Sequence, residues 1–323
     1  MMARRPIAAV TGATGFLGCH TVAALAERGF HVRALIRRPE PHPLWRDREI
    51  ETVPGDLSDE TALRRLLTGA DVVLHLAGLV RARSRKAFLA VNRDGAAMVA
   101  SMLQRCTPAA RLIGISSLAA RTPHLSAYAA SKSAGEQALR DGFNGDVCIV
   151  RPPVIYGPWD TATLSIFRSA AAGIVPVAGH PRSRIAMIHV ADAADAIAAL
   201  AVHTAPPSLC TLADGNPQGY TPQEIMQTAA QALGNHPRYV RLPAASIWGA
   251  GLAGSLYGLL SRRPAIFNTG KAREMLHPDW SVSPAELLPD TIARPRISLD
   301  HGFSGTVAWY RAAGWLAPAH APR

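Results

Sequence analysis

The chain has 323 residues, 48% of them hydrophobic and 18% charged, and a formal net charge of +11. That balance suits a soluble globular protein with a sizeable core, in one large or two coupled domains. The charge comes from 31 arginines against three lysines (Lys86, Lys132, Lys271), and the arginines lie in short scattered pairs without aromatic interleaving, which argues against nucleic-acid binding.

In chain order, a short apolar strand over 6–11 is followed by Thr11-Gly12-Ala13-Thr14-Gly15-Phe16-Leu17-Gly18, and then by a helical pattern over 16–28. The apolar run is too short for a secretory signal. A strand, a glycine turn and a helix make a phosphate cradle. The glycines let the backbone approach a pyrophosphate, and the helix N-terminus offers free N–H groups and a positive dipole end. The next strand, over 30–36, ends at Arg37-Arg38, 19 positions beyond Gly18. This is where such folds meet the adenosine ribose; an acid there suits a free 2′-hydroxyl, whereas a guanidinium suits a 2′-phosphate. NADP(H) is therefore favoured, with NAD(H) possible.

Further strands over 50–54, 71–76, 110–116 and 147–152 alternate with helices over 59–68, 85–105 and 127–140. The alternation predicts an α/β fold with a doubly wound parallel sheet. The strand ending in Ser116-Ser117 precedes Tyr128-Ala129-Ala130-Ser131-Lys132 at the opening of a helix. The i, i+4 spacing puts Tyr128 and Lys132 on one face. An ammonium beside a phenol lowers a pKa that is otherwise about 10, making the pair a general acid/base, with Ser117 placed to hold a substrate oxygen.

Beyond residue 155 the pattern is less regular. Residues 160–186 and 213–300 carry more proline and glycine and predict a smaller lobe closing over the nicotinamide, while 187–212 return to the sheet. Residues 244–260 carry no charge and are flanked by Arg241 and Arg262-Arg263. At 17 residues with four glycines, the stretch does not read as a transmembrane segment. A helix roofing an apolar pocket is the preferred reading, and peripheral membrane contact the lesser one. Cys19, Cys106, Cys148 and Cys210 form no C-x-x-C pair; they suit reduced thiols in a cytoplasmic protein and argue against a metal site. Arg81, Arg83, Arg85 and Lys86 follow the fourth strand, on the side of the sheet where ligands bind, and could meet an anionic substrate or the cofactor phosphates.

Together these motifs resemble the short-chain dehydrogenase/reductase superfamily, and more closely its extended branch, the NAD(P)-dependent epimerase/dehydratase family. The resemblance covers nearly the whole chain. It implies a Rossmann-type domain over 1–159, with 187–212 returning to it. It also implies a substrate-binding lobe and C-terminal helix over 160–186 and 213–323.

Several further segments carry the resemblance. Gly55-Asp56-Leu57 matches the segment whose acid meets the adenine amino group. His75-Leu76-Ala77-Gly78 matches the end of the fourth strand, along the adenosine half. Asn92 with Gly95 matches a helix motif in which the Asn is structural or part of a proton relay. Arg151-Pro152-Pro153-Val154-Ile155-Tyr156-Gly157-Pro158 matches a segment whose backbone holds the nicotinamide amide. Ile188–Asp192 and Trp309–Trp315 match late motifs.

The resemblance implies Tyr128 as general acid/base, Lys132 as its pKa-lowering and ribose-binding partner, and Ser117 as the group orienting a carbonyl or alcohol. It also implies a homodimer through the helices around 85–105 and 127–140. Only 11 residues separate Ser117 from Tyr128, shorter than in relatives that act on nucleotide sugars. Leu118, His124 and Tyr156, with Arg81 and Arg83, are candidate substrate contacts. The sequence thus reads as an NADP(H)-dependent oxidoreductase interconverting a carbonyl and an alcohol on a small, fairly apolar substrate. The alternative is a nucleotide-sugar epimerase/dehydratase with tightly bound cofactor.

Overall fold

The computed structural model describes residues 4–38, 42–261 and 267–318. Its first half follows the predicted alternation: β1 (Ile7–Thr11), α1 (Phe16–Glu27), β2 (His31–Ile36), β3 (Ile50–Pro54), α2 (Glu60–Leu67) and β4 (Val72–His75). α3 (Arg85–Leu89), a π-helical turn (Ala90–Asp94) and α4 (Gly95–Cys106) come next, then β5 (Arg111–Ile115), α5 (Ala127–Gly142) and β6 (Val147–Arg151). The helix expected over 85–105 is thus broken by one wide turn. It is centred on Asn92, whose backbone oxygen lies 2.2 Å from where a Cβ on Gly135 would stand, so only glycine lets α5 pack there.

The later chain forms β7 (Val154–Tyr156), α6 (Leu164–Ala170), β8 (Ile174–Val177), β9 (Arg184–Ile185), β10 (Met187–His189), α7 (Val190–Val202) and β11 (Leu209–Thr211). It continues with α8 (Pro222–Leu233), β12 (Arg238–Arg241), α9 (Ala244–Ser261), α10 (Thr269–Leu276), β13 (Asp279–Trp280) and α11 (Leu299–Ala312). Local chemistry sets several of these ends. Asp59 caps α2 by accepting from Ala62 N–H. α8 opens on a Thr221–Glu224 capping box with Pro222 in its first turn and closes on Gly234 at φ 74°.

The main sheet has the order β11-β6-β5-β4-β1-β2-β3, with every pairing parallel. Its strands are nearly continuous runs of buried apolar residues, as expected when both faces are covered. Val10, Val22, Leu25 and Ile197 fill the layer under α1 and α7. Leu63, Leu66, Val99, Leu103 and Leu139 fill the other, under α2, α4 and α5. A third cluster joins Tyr156, Phe167, Phe303 and Tyr310. Of the 187–212 segment, β11 joins the main sheet, whereas β10 pairs with β7 in a separate two-stranded ribbon. From β1 the chain winds outward to β3, then crosses to β4 on the other side of β1. This reversal opens a crevice at the carboxyl ends of β1 and β4, where ligands of such folds bind.

Candidate active site

The glycine turn sits in that crevice. Gly12 follows β1 with φ +71°, and a Cβ there would stand 2.4 Å from the backbone nitrogen of Ala77, just after β4. A Cβ on Gly18 would stand 2.1 Å from the Gly12 carbonyl oxygen. Only glycine lets the three segments meet so closely. Gly15 caps α1 and makes no side-chain capping bond, so N–H groups of the first turn stay free for a ligand. Thr14 and Gly15 are exposed and Phe16 and Leu17 half-buried beside this opening. An uncapped helix end and a cradle that any Cβ would fill fit a dinucleotide pyrophosphate.

Arg37 and Arg38 follow β2, exposed and without an ion pair among the described residues. Asp56, after β3, accepts from Ser58 N–H at 2.8 Å and Ser58 Oγ at 2.6 Å. These bonds, with Arg37 adding a smaller attraction, hold its carboxyl below the usual range. Leu57 packs against the start of α4 at Gly95. Leu76, Ala77 and Gly78 line the crevice after β4; a Cβ on Gly78 would stand 3.2 Å from Asn92 Oδ1 and 3.5 Å from Lys132 Nζ. Pro152, Pro153, Val154 and Ile155 run from β6 into β7, and the Pro152 carbonyl accepts from Leu118 N–H at 2.8 Å.

Ser117 stands just after β5, where its Oγ accepts from Ala119 N–H at 3.2 Å and faces the Tyr128 phenol closely enough to favour its ionised form. Ser126 caps α5 and places Tyr128 in its first turn, with Lys132 and Glu136 following at four-residue steps. Lys132 Nζ donates to the Ile115 carbonyl at 2.7 Å. Asn92 bridges the pieces: its Nδ2 donates to Leu79 O at 3.0 Å and to Ser131 Oγ at 2.8 Å, and its Oδ1 accepts from Leu79 N–H at 2.7 Å.

Burial pushes the Tyr128 phenol up to about 12, with Ser117 opposing the shift and the Glu274 charge adding to it. Burial also lowers the Lys132 ammonium to about 8, with Glu136 opposing the shift. Lys132 gives one of its three donors to the β5 carbonyl, and desolvation is the largest influence on both groups.

Two groups near the pair went unread in the sequence. Buried Glu136 takes both nitrogens of Arg151, Nε at 2.8 Å and Nη2 at 2.7 Å, and a 2.5 Å bond from Ser116 Oγ. Its place one turn beyond Lys132 was the available signal. Glu274, on α10, accepts from Ser126 Oγ and pairs with Lys271 Nζ at 3.0 Å, clamping α10 to the start of α5. Its separation of 148 residues from Ser126 left no pattern to find.

Alongside Tyr128 lies a cleft of about 710 Å³. Phe88, with its ring centroid 6.0 Å from that of Tyr128, forms one wall; Arg83, Arg85 and His124 edge it; Ser255 and Gly258 of α9 and Arg273 of α10 form the opposite side. Arg81 is exposed and lies just before these residues. The three lysines sit on α3, α5 and α10, elements that border this cleft, though none of them lines it: Lys86 and Lys271 are exposed and Lys132 bonds the end of β5.

Two expected substrate contacts are corrected. Leu118 is 3% exposed and packs in a core cluster with Ala186, Ala213 and Val282. Tyr156 is fully buried against Phe303, 4.8 Å between centroids, and cannot reach a substrate. Nor do the large side chains of 244–260 roof the pocket, since only small residues of α9 face the cleft. Arg262 and Arg263 lie outside the described residues.

Residues 8–209 match the model of the NAD dependent epimerase/dehydratase family. The chain belongs to that family. It is an NAD(P)-dependent oxidoreductase of the extended short-chain dehydrogenase/reductase type. It is 48% identical over 313 residues to the ceramide reductase of Caulobacter vibrioides, covering 97% of this chain and 96% of that protein. It is 31% identical over 175 residues to a farnesyl-dihydroquinoline-oxide ketoreductase of Stigmatella aurantiaca, covering 48% of this chain and 52% of that one. Among solved structures, UDP-glucose 4-epimerase from Bifidobacterium longum in complex with NAD+ and UDP superposes with a TM-score of 0.68 at 18% identity, covering 95% of this chain and 99% of that one. At that identity the likeness speaks for the fold alone.

Proposed function

We propose that this family member is an NADPH-favouring reductase that converts the carbonyl of an apolar, lipid-like substrate to an alcohol at Ser117, Tyr128 and Lys132. The observation that carries the reading is the placement of Tyr128 in the first turn of α5, with Lys132 one turn on and held to the end of β5, Ser117 facing it, and Phe88 of the open cleft against its ring. A phenol that stays protonated there can give its proton to the carbonyl oxygen as charge develops on it. When bound, the nicotinamide supplies hydride to the carbonyl carbon. Ser117 and Tyr128 hold the carbonyl oxygen, Tyr128 gives it a proton, and Lys132 binds the ribose.

Gly12, Thr14, Gly15, Phe16, Leu17 and Gly18 would hold the cofactor's phosphates, and Arg37 and Arg38 would take a 2′-phosphate. Asp56 and Leu57 meet the adenine, Leu76 to Gly78 the adenosine half, and the Pro152–Ile155 backbone the nicotinamide amide. Asn92 holds the site together. Near-full-length likeness to a ceramide reductase supports a lipid-like ketone, larger than the small substrate that the short Ser117–Tyr128 spacing suggested. The rest of the proposal places the enzyme in the cytoplasm, as a homodimer through α4 and α5, with the domain division given by the sequence.

The test is titration of wild type and Arg37→Asp with NADPH and NADH, followed by NADPH oxidation with long-chain keto-amides. The expected result is tighter NADPH binding that Arg37→Asp removes, and turnover of the ketone. Tight, non-exchanging NAD(H) with turnover of uridine-diphospho sugars would overturn it in favour of the epimerase/dehydratase alternative.

A further inference from the structure

The helix α9 is built inside out. Its packing face, Ile247, Gly251, Gly254, Ser255 and Gly258, is mostly small. A Cβ on Gly254 would stand 2.0 Å from the Phe267 carbonyl oxygen, and one on Gly251 would stand 2.9 Å from Ala272 Cβ. The glycines therefore seat the helix tightly on the chain leading into α10. The large side chains go the other way: Trp248 is 38% exposed, Leu252 61%, Leu256 58%, Tyr257 58% and Leu260 75%. Val240 and Leu242, just before the helix in the chain, are also exposed. A soluble protein rarely shows water so many large apolar groups in one place without a partner for them.

The charge around this face says which partner. No Asp or Glu occurs from residue 225 to residue 273, a run of 49 residues that carries Arg238, Arg241, Lys271 and Arg273 within the described part. Arg273 lies over the Trp248 ring, its guanidinium carbon 6.0 Å from the centroid. Arg83, Arg85, Arg241 and Arg273 make no ion pair among the described residues. No described helix is long and apolar enough to cross a membrane. A second copy meeting this face about a two-fold axis would set arginine against arginine. An anionic bilayer offers phosphates to the arginines and acyl chains to the leucines, with Trp248 and Tyr257 suited to the boundary between them.

We propose that the outer face of α9 docks the protein on anionic membranes, lying in the interface without spanning it. The cleft beside Tyr128 has Ser255 and Gly258, from the opposite face of the same helix, in its wall, so docking brings the cleft within one helix's width of the lipid. This goes beyond the reductase reading and is tested without turnover.

The experiment is flotation of the full chain with vesicles of phosphatidylglycerol and phosphatidylcholine, and with phosphatidylcholine alone, for wild type, Leu252→Glu/Leu256→Glu and Arg241→Gln/Arg273→Gln. Wild type is expected to float with the anionic vesicles, less so at high salt. The leucine pair should lower the partition coefficient more than about tenfold, and the arginine pair should lower it on anionic vesicles only. Circular dichroism and thermal melts should match wild type, and oxidation of NADPH by a water-soluble ketone should be unchanged in the leucine variant. Wild type that stays with the unbound fraction, equal flotation of the leucine variant, or a concentration-dependent dimer that the leucine pair abolishes and vesicles do not compete with would each overturn the proposal.

Discussion

At the scale of residues, the site is a set of groups moved from their solution acidities by desolvation. Tyr128, pushed up to about 12, stays a proton donor across the working range, so the alkaline limb of reduction should come from Lys132, lowered to about 8. The pH dependence of kcat/KM should fall through one ionisation near pH 8; a limb near 10 would contradict the assignment. Tyr128→Phe should cost about 10²–10⁴-fold in kcat while dinucleotide binding persists, read by fluorescence titration. Glu136 acts one step behind. Glu136→Ala leaves the Arg151 guanidinium, with a side chain 16% exposed, without its counter-charge, which should cost about 3–5 kcal/mol in urea unfolding. Glu136→Gln should lose less.

Much of this was legible in the chain because it is local. Tyr128, Lys132 and Ser117 announce themselves by spacing, and the glycine turn by its flanking strand and helix. The acidity of Tyr128 was not legible, since it depends on how deeply the phenol is buried and on a carboxylate 146 residues away in Glu274. Leu118 and Tyr156 show the same limit: adjacency to a motif does not say which way a side chain points, and both point into cores.

At the scale of elements, α5 carries the site and is held at its start by Ser126, which both caps the helix and bonds Glu274 of α10. Ser126→Ala removes both bonds. Loss of the cap alone is worth about 1 kcal/mol. The freed Glu274 should also let α10 part from α5, so KM for the ketone should rise while cofactor affinity holds. A melting temperature that falls with KM unmoved would mean the clamp has no part in shaping the cleft. The strands and helices of the first half were readable because both sheet faces are covered and most strand positions are apolar. The wide turn at Asn92 was not, because its cause is the tertiary approach of Gly135.

For the whole molecule, acidification should be the weak direction. His75 is buried between β4 and β1, with Nδ1 2.8 Å from Thr11 Oγ1, and burial lowers it to about 3; His20 and His189 are lowered to about 4. The folded state refuses protons that the unfolded chain accepts below pH 6.5, so the stability these groups lend is whole above 6.5 and is lost as pH falls toward their folded values. From 6.5 to 5, His75 alone should account for about 2 kcal/mol, at about 1.4 kcal/mol per unit. Urea midpoints at pH 7 and pH 5 measure the slope, and His75→Asn should flatten it.

The placement of the lysines has a practical consequence. In a protein whose positive charge is almost all arginine, the three lysines sit on α3, α5 and α10, the elements that border a single cleft. An acylating reagent or an aldehyde that ignores guanidinium groups therefore reports on those three elements, against little background from lysine elsewhere. Mass spectrometry of the labelled chain, with and without dinucleotide, becomes a footprint of occupancy at Lys132, with Lys86 and Lys271 as reporters of the mouth.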